Sequence, residues 1–281
     1  MLHLGSSFHI SFHEEHPMST TTLVTHCGAR EVSREELNQI EAPPPTQTWF
    51  PVRHSTVVES VSDLLQSGGF AIQKATYAVS RQGGARMFAT LDLTTALSVG
   101  VTLAVGIRNS WDQSFPLGFC AGSRVFICDN LAFRADLLVA RKHTRFGQDR
   151  FREAIAQAVA SLGQFQQVEA ERIRRFQHLT LSDECAESLI LRSFERGFVS
   201  YRALPEVIQE WRQPSHDFGP EPSLWRLFNA WTSALAPVAK RSPQRFADDG
   251  PAAHARRASS AANFLGHGAR RSDPVGMTNS S

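Results

Sequence analysis

The chain has 281 residues, 42% apolar and 20% charged, with 29 Lys/Arg against 27 Asp/Glu; this suits one globular domain with appendages and excludes a strongly basic fold that attracts nucleic acid everywhere by counterion release. The net charge of +2 is unevenly spread, since residues 237–281 carry seven Lys/Arg against three acids and residues 1–41 carry two Arg against six acids. The longest apolar run, Ala96 to Ile107, falls short of the ~20 residues that a membrane helix requires, so no membrane partner is expected. Cys27, Cys120, Cys128 and Cys185 form no CxxC pair, which suits reduced thiols in a cytoplasm rather than a disulfide framework.

Residues 1–25 show no persistent period and read as an extension, disordered or wrongly placed ahead of the start. His9, His13 and His16 with Glu14 and Glu15 stand at metal-ligand spacing, but no element is expected to hold them, and no metal or cofactor is assigned. Two glutamate codons can spell a ribosome-binding sequence, so translation is expected to begin at Met18. One α+β domain is expected over residues 26–236. Within it Ser33 opens a capping box, Ser-x-x-Glu, for a short helix that "APPPTQTWFP" ends in an extended arm. Ser55 or Thr56 is expected to cap an amphipathic helix with apolar residues at 57, 58, 61, 64 and 65, stopped by glycines. His54 is expected to order its entrance.

Alternation then predicts an antiparallel meander of about five strands. Two, near 70–80 and 85–93, flank an Arg-Gln-Gly-Gly turn, and "SVGVTLAVGIR", "SFPLGFCAG" and "SRVFICDN" supply the others, with a tight turn at Ala121-Gly122-Ser123. Apolar positions 151, 155, 159, 162, 165, 173 and 176 predict one long amphipathic helix with Gly163 as its weak point. Helices near 183–196, 204–212 and 222–235 make a helical C-terminal half, with Trp225, Phe228, Trp231 and Leu235 facing the core. From 237 on, a basic flexible tail is expected.

Two features carry candidate chemistry. The expected meander brings Arg108, Asn109, Asp112, Asp129 and Asn130 to one sheet edge, with Trp111 at a loop tip as either a lid on the core or a platform for a base. That patch is either a structural clasp or a ligand site built on the guanidinium fork. Cys128 with His143 as a distant base is set aside, because alternation puts the thiol on a strand face. No catalytic residue is assigned, and the balance lies against an enzyme. The second feature, "RKHTRFGQDRFR", holds Arg141, Lys142, Arg145, Arg150 and Arg152 at a helix start with Thr144 as expected cap. It is either a phosphate contact or a solvated helix face.

The segments "VSREEL", "PPTQTWFPVRHSTVVESV", "YAVSRQGGARMFATLDL", "GIRNSWDQSFPLGFCAGSRVFICDNLAF", "RKHT" and "LWRLFNAWT" together resemble the phage/plasmid-like protein family, domain of unknown function 932. The resemblance implies a setting in mobile elements, among replication or recombination genes, and lends no established chemistry. In that family histidine is usual after Arg-Asn-Ser, where this chain has Trp111, so histidine chemistry is not carried over. In outline the expected fold is similar to the core of single-strand annealing proteins, an analogy of fold alone. The leading expectation is a nucleic-acid-binding protein of a mobile element, in an annealing-type homo-oligomer; the alternatives are a small-ligand or enzymatic module at the polar patch, or a protein that binds host factors.

Overall fold

Strand alternation, with short connections from the second strand onward, builds one six-stranded sheet among the described residues, in which every neighbour runs antiparallel and spatial order follows chain order. The computed structural model describes residues 29–81, 83–125 and 130–241. The N-terminal extension with its histidines and Met18, Cys27, the pair Cys128-Asp129 and the tail beyond 241 lie outside the described residues, as does the side chain of Leu235.

The strands are β1 Ala29–Val32, β2 Ile72–Ser80, β3 Arg86–Ser98, β4 Val101–Ser110, β5 Leu117–Val125 and β6 Asn130–Arg141. Helices α1 Arg34–Gln39 and α2 His54–Ser67 lie between β1 and β2, and α3 Gly147–Ala160, α4 Leu162–His178, α5 Asp183–Glu195, α6 Leu204–Arg212 and α7 Leu224–Arg241 follow the sheet. The expected α+β class stands. The Ser33 capping box forms as its spacing predicts: the Glu36 amide donates to Ser33 Oγ (3.1 Å), and the Ser33 amide to Glu36 Oε2 (3.0 Å). Gly83 and Gly84 turn β2 into β3 with φ of 63° and 64°, a region open to glycine.

Side chains of period two give the sheet two faces. Met87, Leu91, Leu103, Val105, Leu117 and Phe119 join Val57, Val61 and Leu65 of α2, Phe151 and Ile155 of α3, Phe176 of α4 and Trp211 of α6 in one core. Trp225, Phe228 and Trp231 of α7 enter it too, at the helical spacing read in the sequence. The opposite face, Thr90, Asp92, Thr102, Ala104, Gly106, Cys120, Gly122 and Arg124, is also buried but small and polar.

Three expectations are corrected. Ala121-Gly122-Ser123 is no turn but the middle of β5, which runs unbroken to Val125; β6 and the four-residue β1 were not read as strands. The long helix is two, broken at Ser161 rather than Gly163. Ser161 there has ψ near −7° and turns its hydroxyl back onto the Gln157 carbonyl (3.2 Å), the local competition that serine offers a helix. Finally, α2 is capped at Arg53, two to three residues ahead of the expected Ser55 or Thr56, and α3 starts after Phe146, not Thr144.

Candidate functional site

His54 is fully buried at the first position of α2, where the arm of residues 40–53 enters the helix. Its Nε2 lies 2.8 Å from the Gly84 carbonyl, which can only accept, so Nε2 carries the proton. Nδ1 then accepts from Asn109 Nδ2 at 2.9 Å, and the same amide donates to the Val52 carbonyl at 2.8 Å. Trp111 Nε1 donates to that carbonyl also (2.8 Å). Burial pushes the His54 imidazole down to about 4, against the upward pull of the Gly84 carbonyl and helped by nearby His143. A neutral imidazole with both nitrogens engaged is a clasp, tying the arm, α2, the β2–β3 turn and the end of β4 together. Trp111 is 7% exposed, so it is the lid on the core and not a platform for a base.

The expected convergence at one sheet edge does not form. β5 pairs Gly118 with Arg108 at one end and Val125 with Val101 at the other, and Asn130 lies opposite Val125. Asn130 thus sits at the far end of the sheet from Arg108, because β5 has no turn in its middle; Asp129 lies outside the described residues. Successive residues of one strand also point apart. Asn109 faces the core, whereas half-buried Arg108 lies on the other face, with its guanidinium carbon 5.3 Å from the Phe115 ring centre and its stem filling the space over Gly118. Asp112 is held by Arg86, a residue the sequence pattern did not single out, and by the Ser114 hydroxyl. Burial raises the affinity of Asp112 for a proton, but the Ser114 and Arg86 contacts outweigh it and leave the carboxyl below its ordinary range.

The polar face of the sheet holds an ion pair that sequence reasoning missed. Arg124 Nε meets Asp92 Oδ1 at 2.6 Å with both side chains 5% exposed, and Arg124 Nη2 reaches Thr90 Oγ1 at 3.5 Å. Asp92 pairs with Ala104 and Ala104 with Gly122, so the arginine crosses β4 over residues without bulk. The available signal was a lone charge at an inward position of each of two apolar strands. On the same face the Cys120 thiol is buried and pushed up to about 12 by desolvation, despite nearby Arg108, and is no nucleophile at neutral pH. Among the described residues no three His, Cys, Asp or Glu side chains are grouped to hold a metal.

The basic segment forms the junction between β6 and α3. Arg141 ends β6, Lys142, Arg145 and Phe146 occupy the turn, and Arg150 and Arg152 lie in the first two turns of α3. All five cations are exposed and make no ion pair within the described residues. His143 points inward and is buried, near Trp49 at 6.3 Å between ring centres, and its carbonyl accepts from the Phe50 amide at 3.0 Å. Burial lowers its pKa, partly offset by the Phe50 backbone. Gly147 permits the turn: a Cβ there would stand 2.4 Å from the Lys142 carbonyl oxygen. α3 then begins without a side-chain cap, so its first amides and the helix dipole add to the cationic field. Phe146 is 57% exposed in the middle of this segment, with the Arg145 guanidinium carbon 5.9 Å from its ring centre.

Fold and site together define an α+β protein whose antiparallel six-stranded sheet carries a sealed neutral clasp inside and, outside, a basic junction whose cations make no ion pair among the described residues. No helix among the described residues is long and apolar enough to cross a membrane. The family model described as a domain of unknown function, DUF932, matches residues 45–262, and the chain belongs to that family. The match begins after α1 and runs past the expected domain end at 236. Neither a curated protein nor a solved structure matches the chain.

Proposed function

We propose that this protein binds nucleic acid through phosphate contacts made at the β6–α3 junction, in keeping with the mobile-element setting that the resemblance implies. The observation that carries the reading is the set Arg141, Lys142, Arg145, Arg150 and Arg152, gathered within twelve residues at one junction, exposed and without carboxylate partners among the described residues. Cations of a solvated helix face commonly pair with acids one turn away, as Arg174 does with Glu171 at 2.9 Å on α4. Here Asp149 and Glu153 stand three residues from Arg152 and Arg150 yet pair with neither among the described residues, and Asp149 lies at the helix start, where it favours the dipole.

A polyanion on this surface would meet guanidinium forks, the Lys142 ammonium and uncapped amides at once. The ligand-site alternative rested on groups meeting at one edge, and the described ones are divided between two faces and two ends of the sheet. The test is a titration of labelled oligonucleotides at several salt concentrations. Binding that weakens steeply with salt supports the reading, and no binding at low salt removes it.

A further inference from the structure

We infer that the β6–α3 junction selects single-stranded over duplex nucleic acid by stacking an unpaired base on Phe146. The inference rests on the phosphate contacts proposed above and names the form of polymer they serve. Phe146 is a large apolar ring left 57% exposed with cations on both sides in sequence, Arg145 before it and Arg150 one turn after it. An exposed ring on a basic track is the pairing that single-strand binding uses: cations follow the phosphates and the aromatic face takes a base of any sequence. In a duplex the base faces are covered by their neighbours, so only the cations would be engaged.

The backbone that carries the ring is also held in place. The Phe146 carbonyl accepts from the Arg150 amide at 3.1 Å, and the next residue, Gly147, is wedged against the Lys142 carbonyl. A platform fixed in its backbone loses little freedom when a base lands on it. With a guanidinium carbon 5.9 Å from the ring centre, Arg145 can lie against the same base or take its phosphate. Trp111 cannot serve this purpose, being buried against His54.

The experiment compares the full chain with F146A and F146W, using a labelled 20-nucleotide oligothymidylate and a blunt duplex of equal length at one moderate salt concentration. F146A should weaken single-strand binding about 5- to 150-fold, the range that loss of one base stack gives, and change duplex binding less than about twofold. F146W should restore the single-strand affinity and show indole quenching on binding beyond that of the unaltered chain. Equal loss on both polymers, or no loss on either, overturns the stacking role while leaving the phosphate contacts standing. If the unaltered chain binds neither polymer at low salt, the phosphate reading fails and this inference falls with it.

Discussion

The indole of Trp111 lies flat on the imidazole of His54, with ring centres 3.9 Å apart and planes within 5°. Both rings hang on one carbonyl, that of Val52: Trp111 donates to it directly, and His54 is linked through the Asn109 amide. Stacking of this kind seals a neutral imidazole, and the sealing has a signature in pH.

His54 has its folded pKa lowered from 6.5 to about 4, so between these values the unfolded chain binds more protons than the folded one. Stability should therefore be full above about pH 6.5 and decline as the pH falls toward 4, by about 3 kcal/mol at most from this residue. Burial lowers His143 in the same direction. Urea melts at pH 7 and pH 4.5 measure the difference. H54Q should be less stable at pH 7 and show a flatter dependence on pH; an unchanged slope would mean that the imidazole is not the buried neutral group described.

Asn109, fully buried, supplies donors to two acceptors. N109A should cost about 1–3 kcal/mol for the acceptors left unmet. N109D should cost more at neutral pH, since a carboxylate faces the Val52 carbonyl and cannot donate to it. Thermal melts of the two variants order them; equal melting points would count against the assigned amide orientation.

Removing one partner of the Asp92–Arg124 pair leaves a buried charge without its principal contact. D92N should lose about 3–5 kcal/mol. A double variant, D92L with R124M, should recover most of that loss, because apolar groups of similar volume need no partner. Chemical denaturation of single and double variants tests it, and additive losses would show that the two side chains do not act as a pair.

At the basic junction, the triple variant R141E, K142E and R145E should melt within about 0.5 kcal/mol of the unaltered chain, all three residues being exposed. Its affinity for oligonucleotides should collapse. Neutral variants that each remove one contact should reduce the slope of log affinity against log salt by roughly 0.7–0.9 apiece. A slope that stays constant through the series would place the phosphate contacts elsewhere.

Gly147 cannot carry a side chain without moving the Lys142 carbonyl. G147A should lower the melting temperature and weaken nucleic-acid binding together, whereas R145E should weaken binding alone. Circular dichroism melts and a binding titration on the same samples separate the two effects.

Much of the fold was legible where a local rule decides the outcome. The Ser33 capping box, the glycine turn at 83 and 84 and the apolar stripe of α7 each depend on residues within a few positions of one another. β5 was misread because Ala121, Gly122 and Ser123 carry turn composition. Their smallness serves a different end, a close-packed sheet face over which Arg124 reaches Asp92, 32 residues earlier and two strands away. No local pattern records that crossing.

The misreading also moved the patch, since a turn inside β5 would have returned Asn130 toward Arg108. Charge at the basic junction was legible because runs of cations stay in water. Which aromatic is covered was not. Trp111 and Phe146 both stand in polar loops, and only the tertiary fold lays one on His54 and leaves the other in solvent.

The arm that enters α2 holds two unlike regions through residues only two apart: Val52 receives the indole and amide donors, and the Phe50 amide grips the carbonyl of His143 in the basic segment. Such a strap makes the interior and the exterior one mechanical piece. A change that unseats Val52 therefore acts on the chain only two residues from its hold on the basic segment.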